Sequence, residues 1–494
     1  MNIERSAGVL CHISSLPGKY GIGSLGKEAH AFARMLKKRG FRYWQMLPLV
    51  QTGFGDSPYQ SVSSDSGNPY FIDLEELKKQ KLLTKKELNA CRKKNPIDYG
   101  ALYEQRYKVL KTAFSRFNFE NEDFRAFVKS GKAEDYALFM TAKSVYGGTF
   151  CDWDASLRDH EEGALEALRT DHHEEYLFWQ FLQYEFDLQW RSLREECRRI
   201  GLKIIGDIPL YVAYDSADVW VHSELFKLDR EKKCEKVAGV PPDYFSEKGQ
   251  LWGNPIYDWA EHEKTDFKWW KKRFENAFEF YDVVRIDHFR GIDRYYEIDA
   301  GAEDATRGEW KDGPKEKLFE GVVGEIIAED LGVVDGGVEA LLKKTGFPGM
   351  KVLLFAFDSN ADNPYLPHLF DGNCVCYTGT HDNDTVAGYC KGLSTEELIL
   401  FRSQIAAEMQ RLELNVPIGD KPEEMSNAIV HLCLASKARL AVVPVQDILG
   451  LDNESRMNTP GKAYGNWRFR LNCLPAGKHM RRLQKMIKIY GRII

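Results

Sequence analysis

The sequence predicts an α/β fold of the (β/α)8 barrel type, and three observations carry that prediction. Eight short runs rich in aliphatic and β-branched residues recur along the chain. Helical patterns separate most of them. Four runs stop on acidic residues: Ile204-Ile205-Gly206-Asp207, Val283-Val284-Arg285-Ile286-Asp287-His288, Ile326-Ile327-Ala328-Glu329-Asp330 and Val375-Cys376-Tyr377-Thr378-Gly379-Thr380-His381-Asp382. Short continuous apolar runs read as strands buried on both faces. Parallel strands of one sheet or barrel end at a common mouth, so four terminal acids suggest one carboxylate-rich site.

In chain order the strands are expected at 8–13, 43–50, 203–208, 282–287, 322–328, 351–357, 374–378 and 441–445. Between them lie amphipathic segments such as 28–39, closed by Gly40, and 394–412, with apolar residues at helical spacing. An open doubly wound sheet would alternate in the same way. Its glycine-rich dinucleotide turn is missing, because Ser14-Ser15-Leu16-Pro17-Gly18 follows the first strand. Uneven spacing marks insertions: a mostly helical subdomain over 51–202, with helices near 103–117, 135–146 and 171–199 ended by Gly201, and a smaller insertion over 210–281. Both leave from the C-terminal ends of strands, where barrels build their clefts. Fewer than 50 residues follow the last strand, which is too few for a C-terminal β-sandwich, so 1–494 is expected to form one catalytic barrel.

A chain of 494 residues, 43% hydrophobic, can bury one large core. Its 68 basic and 74 acidic residues are interspersed and give a net charge of -6, so no cationic field is offered to nucleic acid or anionic lipid. The basic stretch from Lys78 to Lys94 alternates with Leu and Glu as a solvated helix face does. No leader-like or membrane-spanning apolar run is present, and ten scattered cysteines form no CxxC pair. A cytoplasmic protein with no structural metal is expected.

Two carboxyl groups flanking a glycosidic bond can divide its cleavage into protonation of the leaving oxygen and attack on the anomeric carbon. Arg285 and Asp287, two apart on a strand, face the same way, and a guanidinium keeps a neighbouring carboxylate ionised and oriented, as a nucleophile needs. Glu329 emerges from an apolar run, which suits a general acid that retains its proton. Asp382, beside His381, is the third candidate. Each acid could instead cap a helix, Asp330 and Asp384 being obvious examples, and acids at barrel ends also hold divalent metals in other enzymes. Three aromatic, Gly- and Pro-punctuated stretches favour a sugar cleft and read as loops: Gly53 to Ser61 with Tyr59, Gly249 to Tyr257 with Trp252, and Met457 to Arg468 with Asn458.

Taken together, Gly53-Phe54-Gly55-Asp56-Ser57-Pro58-Tyr59, Gly206-Asp207-Ile208-Pro209, Arg285-Ile286-Asp287-His288-Phe289-Arg290-Gly291, Ala328-Glu329-Asp330-Leu331-Gly332, Gly379-Thr380-His381-Asp382-Asn383 and Met457-Asn458-Thr459-Pro460-Gly461 resemble the amylomaltases, the 4-alpha-glucanotransferases of glycoside hydrolase family 77. The resemblance spans nearly the whole chain. It implies Asp287 as nucleophile, Glu329 as general acid/base and Asp382 as transition-state stabiliser. It also implies that Arg285 orients Asp287, that Asp207, His381 and Tyr59 line the sugar whose bond breaks, and that Trp252 and Asn458 contact donor or acceptor. The substrates implied are maltooligosaccharides and α-1,4-glucans, with glucose as an acceptor, handled without an organic cofactor by a monomer or homodimer. One departure is visible: Ser64-Asp65-Ser66 stands where the family carries an aromatic and an alanine before Gly67-Asn68-Pro69.

Overall fold

Eight parallel strands, each spent within four to six residues except the three-residue second, form the larger of two sheets in the computed structural model. The structure describes residues 3–93, 95–242, 246–332 and 336–492; Lys94 of the basic stretch and the Phe54 side chain lie outside what is described. Numbered along the chain, the twelve strands among the described residues are β1 (Ser6–Leu10), β2 (Tyr43–Gln45), β3 (Lys203–Ile208), β4 (Lys236–Val240), β5 (Gln250–Pro255), β6 (Val283–Ile286), β7 (Arg294–Asp299), β8 (Gly308–Asp312), β9 (Glu325–Ala328), β10 (Gly349–Val352), β11 (Cys374–Tyr377) and β12 (Leu440–Pro444).

The large sheet runs β10-β11-β12-β1-β2-β3-β6-β9 with every pairing parallel. Its two ends meet through the Ala328 N–H donating to the Pro348 carbonyl at 3.0 Å and the Met350 N–H donating to Asp330 Oδ1 at 2.6 Å. Asp330 therefore bridges the closing seam of the barrel. All residues of β1, β6, β11 and β12 are buried, as expected of strands covered by helices outside and by packed side chains inside.

All eight expected strands are present, β3 with the expected bounds and the other seven with shifted ones. β10 ends at Val352 because Leu353–Phe355 turns into a 3-10 helix, and β9 begins only at Glu325, leaving Val323 exposed. The long helix His173–Ile200 ends as predicted on Gly201, whose φ of 69° is the left-handed conformation glycine adopts without strain. Its buried Gln183 exchanges two hydrogen bonds with the Gly67 backbone, at 2.8 and 2.9 Å, and so pins the chain just beyond Tyr59.

Four further strands were not expected. They form an antiparallel sheet, order β5-β4-β7-β8, drawn from the excursions on either side of β6, with a small core of its own around Val237, Tyr296, Ile298 and Ala305. The stretch around Trp252, read as a loop, is edge strand β5. At the other end of the chain, buried Arg492 donates to the carbonyls of Ser6, Leu434 and Ser436, tying the terminus to the barrel. No helix among the described residues is long and apolar enough to cross a membrane.

Candidate active site

Strand register assembles the deep half of the site. Asp207 on β3 lies opposite Arg285 on β6, and Arg285 opposite Ile327 on β9. Beyond the ladders the Asp287 N–H donates to the Ile208 carbonyl and the Glu329 N–H to the Ile286 carbonyl, both at 3.0 Å, so the strand alignment continues through both acids. Gly206 permits this packing: a Cβ there would lie 2.1 Å from the Tyr281 ring.

The Arg285 guanidinium is the hub. Nη1 donates to both Asp207 oxygens, at 2.7 and 2.8 Å, and Nη2 pairs with Asp287 Oδ1 at 2.8 Å. Burial works against its charge, and the flanking carboxylates of Asp207 and Asp287 outweigh that effect and raise its pKa. Asp207 is fully enclosed and also accepts from the Tyr59 hydroxyl at 2.7 Å. Burial pushes its carboxyl above the ordinary range, opposed by Arg285. Asp287, by contrast, keeps 28% of its side chain exposed at the cleft, so its second oxygen is available to a ligand.

Glu329 sits across from Asp287 with its two oxygens held by backbone: Oε2 accepts from the His288 N–H at 2.6 Å and Oε1 from the Leu331 N–H at 2.9 Å. Burial, reinforced by the negative charge of Asp287, pushes its carboxyl up to about 8. Both causes favour its protonated form at neutral pH. His288 reaches it from a left-handed conformation, φ 50°, a strain of about 1 kcal/mol or more for a residue other than glycine. The His288 ring meets Trp252 edge to face at 4.7 Å, which brings Trp252 beside the two acids.

The outer half is carried by loops. Asp382 follows β11; its Oδ1 accepts from Asn458 Nδ2 at 2.6 Å and lies 3.3 Å from His381 Nε2. His381 stacks on Tyr59, centroids 5.1 Å apart and planes 8° from parallel, and Trp467 packs against both at 5.8 Å. Tyr59 thus joins the two halves, with its hydroxyl on Asp207 and its ring on His381. Gln60 binds Asn254 at 3.0 Å and Asn254 binds the Val212 carbonyl at 2.8 Å, linking the Tyr59 loop to β5.

All nine residues singled out by sequence therefore fall in one connected region. Sequence reasoning missed His288, Trp467 and Arg456. His288 directly follows the proposed nucleophile, and Trp467 lies inside a quoted aromatic stretch, so position alone was the available signal. Asp384, a possible helix cap, is instead paired with Arg456. Among the described residues no cluster of His, Cys, Asp and Glu is arranged to hold a metal.

Comparison with known proteins adds an independent line. The family model described as 4-alpha-glucanotransferase, glycoside hydrolase family 77, matches residues 11–475. The 4-alpha-glucanotransferase of Thermus thermophilus is 45% identical over 511 aligned positions covering 100% of both chains. That of Clostridium butyricum is 43% identical, covering 97% of this chain and 99% of its own. Among solved structures, amylomaltase from Streptococcus agalactiae in complex with acarbose matches with a TM-score of 0.92 at 36% identity, covering 99% of this chain and 100% of its own.

Proposed function

The chain belongs to the 4-alpha-glucanotransferases of glycoside hydrolase family 77, and from that premise we propose that Asp287, Glu329 and Asp382 carry out its glucan transfer. The enzyme moves segments of α-1,4-glucan from a donor to an acceptor sugar. The observation that carries the assignment is the contrast between two neighbouring carboxyls: one paired with Arg285 and open to the cleft, the other pushed up by burial and by its neighbour's charge.

In the first half-reaction Glu329 gives its proton to the glycosidic oxygen while Asp287 attacks the anomeric carbon. The leaving glucan departs with a free 4-hydroxyl, and a glucosyl ester remains on Asp287. In the second half, an acceptor 4-hydroxyl displaces Asp287 and returns its proton to Glu329. Two displacements retain the anomeric configuration and call for carboxyls about 5–5.5 Å apart. Ester formation removes the Asp287 charge that adds to burial in raising the Glu329 pKa, so the acid gives up its proton more readily when a base is required.

Asp382 and His381 grip ring hydroxyls opposite the Asp207–Arg285–Tyr59 floor, and the aromatic wall of Tyr59 and Trp467 supports the sugar's apolar face. Trp252 and Asn458 contact the sugars on either side of the cleaved bond. Transfer outruns hydrolysis where an acceptor is held in register, because an oriented hydroxyl has an effective molarity that bulk water lacks.

The chain is best divided as one barrel, 1–494, with insertions over 51–202 and 210–281 that wall the cleft. It works as a monomer or homodimer in the cytoplasm, a setting in which ten free thiols persist. Incubation with maltotriose alone tests the activity: glucose together with a ladder of longer glucans is expected, whereas glucose and maltose alone would mean that water is the acceptor.

A further inference from the structure

Asp382 is the one proposed catalytic acid that no strand register fixes. It stands on a loop of eight residues, 378–385, between β11 and the helix Val386–Gly392, and loops of that kind are the least rigid part of a barrel mouth. Yet its N–H, its carbonyl and one of its two carboxylate oxygens are each engaged, while the side chain stays 39% exposed. Its N–H donates to Thr380 Oγ1 at 3.2 Å, its side chain accepts from Asn458, and its carbonyl accepts from Arg456 Nη2 at 2.6 Å.

Arg456 does more than hold that carbonyl. Its Nε donates to the Asn458 carbonyl at 2.7 Å, and Nη1 pairs with the Asp384 carboxylate. The Asn458 N–H in turn donates to the His381 carbonyl at 3.0 Å. One planar guanidinium therefore joins the backbone of the acid, the backbone of the amide that orients the acid, and a carboxylate two residues further along the same loop. The two ends of the loop are fixed separately by buried Asp447, which accepts from Thr378 Oγ1 at 2.5 Å and from the Val386 N–H at 2.9 Å. With the ends anchored, Arg456 and the Asn458 contacts tie the middle of the loop to the 456–458 segment.

We propose that Arg456 is a positioning residue for the transfer reaction, clamping Asp382 and Asn458 into a single unit. It touches no substrate itself. A charge-assisted fork to two carbonyls is stiff, and a stabilising carboxylate is effective only if its position is set before charge develops on the sugar. The proposal rests on the reading of Asp382 as the third acid.

The test is steady-state transfer from maltotriose by Arg456→Ala, Arg456→Lys, Asn458→Ala, the Arg456→Ala/Asn458→Ala double variant and Asp382→Asn. A displacement of the acid of order 1 Å predicts a fall of about 100-fold in kcat for Arg456→Ala. KM should stay within about threefold, because the lost interaction belongs to the transition state. Arg456→Lys, which keeps the charge beside Asp384 but cannot fork to both carbonyls, should fall in between. Because Arg456 and Asn458 act through the same carboxylate, the double variant should lose much less than the product of the two single losses. Cooperative melting of each variant separates these losses from unfolding. Unchanged kcat in both Arg456 variants, a loss confined to KM, or strictly multiplicative losses would overturn the clamp while leaving Asp382 catalytic. Full activity of Asp382→Asn would remove the reading on which the clamp depends, and the clamp with it.

Discussion

The two halves of the site are built by different means. Asp207, Arg285, Asp287 and Glu329 are delivered by three adjacent strands, β3, β6 and β9, and their geometry follows from parallel register and burial. Asp382, His381, Asn458 and Trp467 come from irregular segments and owe their positions to hydrogen bonds and ring contacts between loops. The first half is a property of the barrel, so disturbing it disturbs the fold. The second is attached to the barrel, so disturbing it disturbs the reaction.

Glu329→Gln should show the largest effect. Loss of a general acid/base lowers kcat by about 100-fold to 10,000-fold. The same substitution reports on the buried proton. A carboxyl raised to about 8 in the folded chain favours folding below its unfolded pKa, and that contribution is lost as pH rises through 8. Wild-type stability should therefore decline across that window, and Glu329→Gln should decline less, so that its melting temperature overtakes the wild type's on the alkaline side. Parallel curves for the two proteins would show that Glu329 is ionised throughout. In the wild type, kcat/KM should fall on the alkaline limb as the acid loses its proton.

Arg285→Ala comes next and should break the deep half as structure. It leaves the enclosed Asp207 without its ion pair, an effect of about 3 kcal/mol on unfolding free energy, together with loss of the aimed nucleophile. Denaturant titration checks the first and turnover the second. An Arg285→Ala protein as stable as wild type would mean that the deep half is not held by this hub.

Trp252→Ala should have the smallest effect. The indole lies on an edge strand of the second sheet, half-buried against His288, so its removal should raise KM for longer glucans by about tenfold or less, the range of one aromatic contact, with little change in stability. A stability loss as large as that of Arg285→Ala would place Trp252 in the core.

The same contrast explains what was legible in the sequence. Barrel strands announce themselves because burial on both faces demands unbroken apolar runs, as in Val375-Cys376-Tyr377, and the acids that end them mark the mouth. The second sheet does not: β8 is Gly-Glu-Trp-Lys-Asp with no buried residue, and β5 mixes exposed and buried positions around Gly253. The bounds of β10 slipped because Leu353–Phe355 is as apolar as the strand it follows, and only its backbone differs. Asp287 and Glu329 could be assigned roles from chain position, since period two and apolar context set their surroundings. Arg456 could not. Its function arises from contacts with Asp382 and Asp384, more than 70 residues earlier, and no local pattern records such contacts.

The central claim is that Asp287 becomes covalently bonded to the glucosyl unit being transferred. A slow fluorinated glucosyl donor, followed by digestion and mass spectrometry, tests it most directly. The label should appear on the peptide containing Asp287 and vanish in Asp287→Asn, and a label on Glu329, Asp382 or any other residue would contradict the assignment.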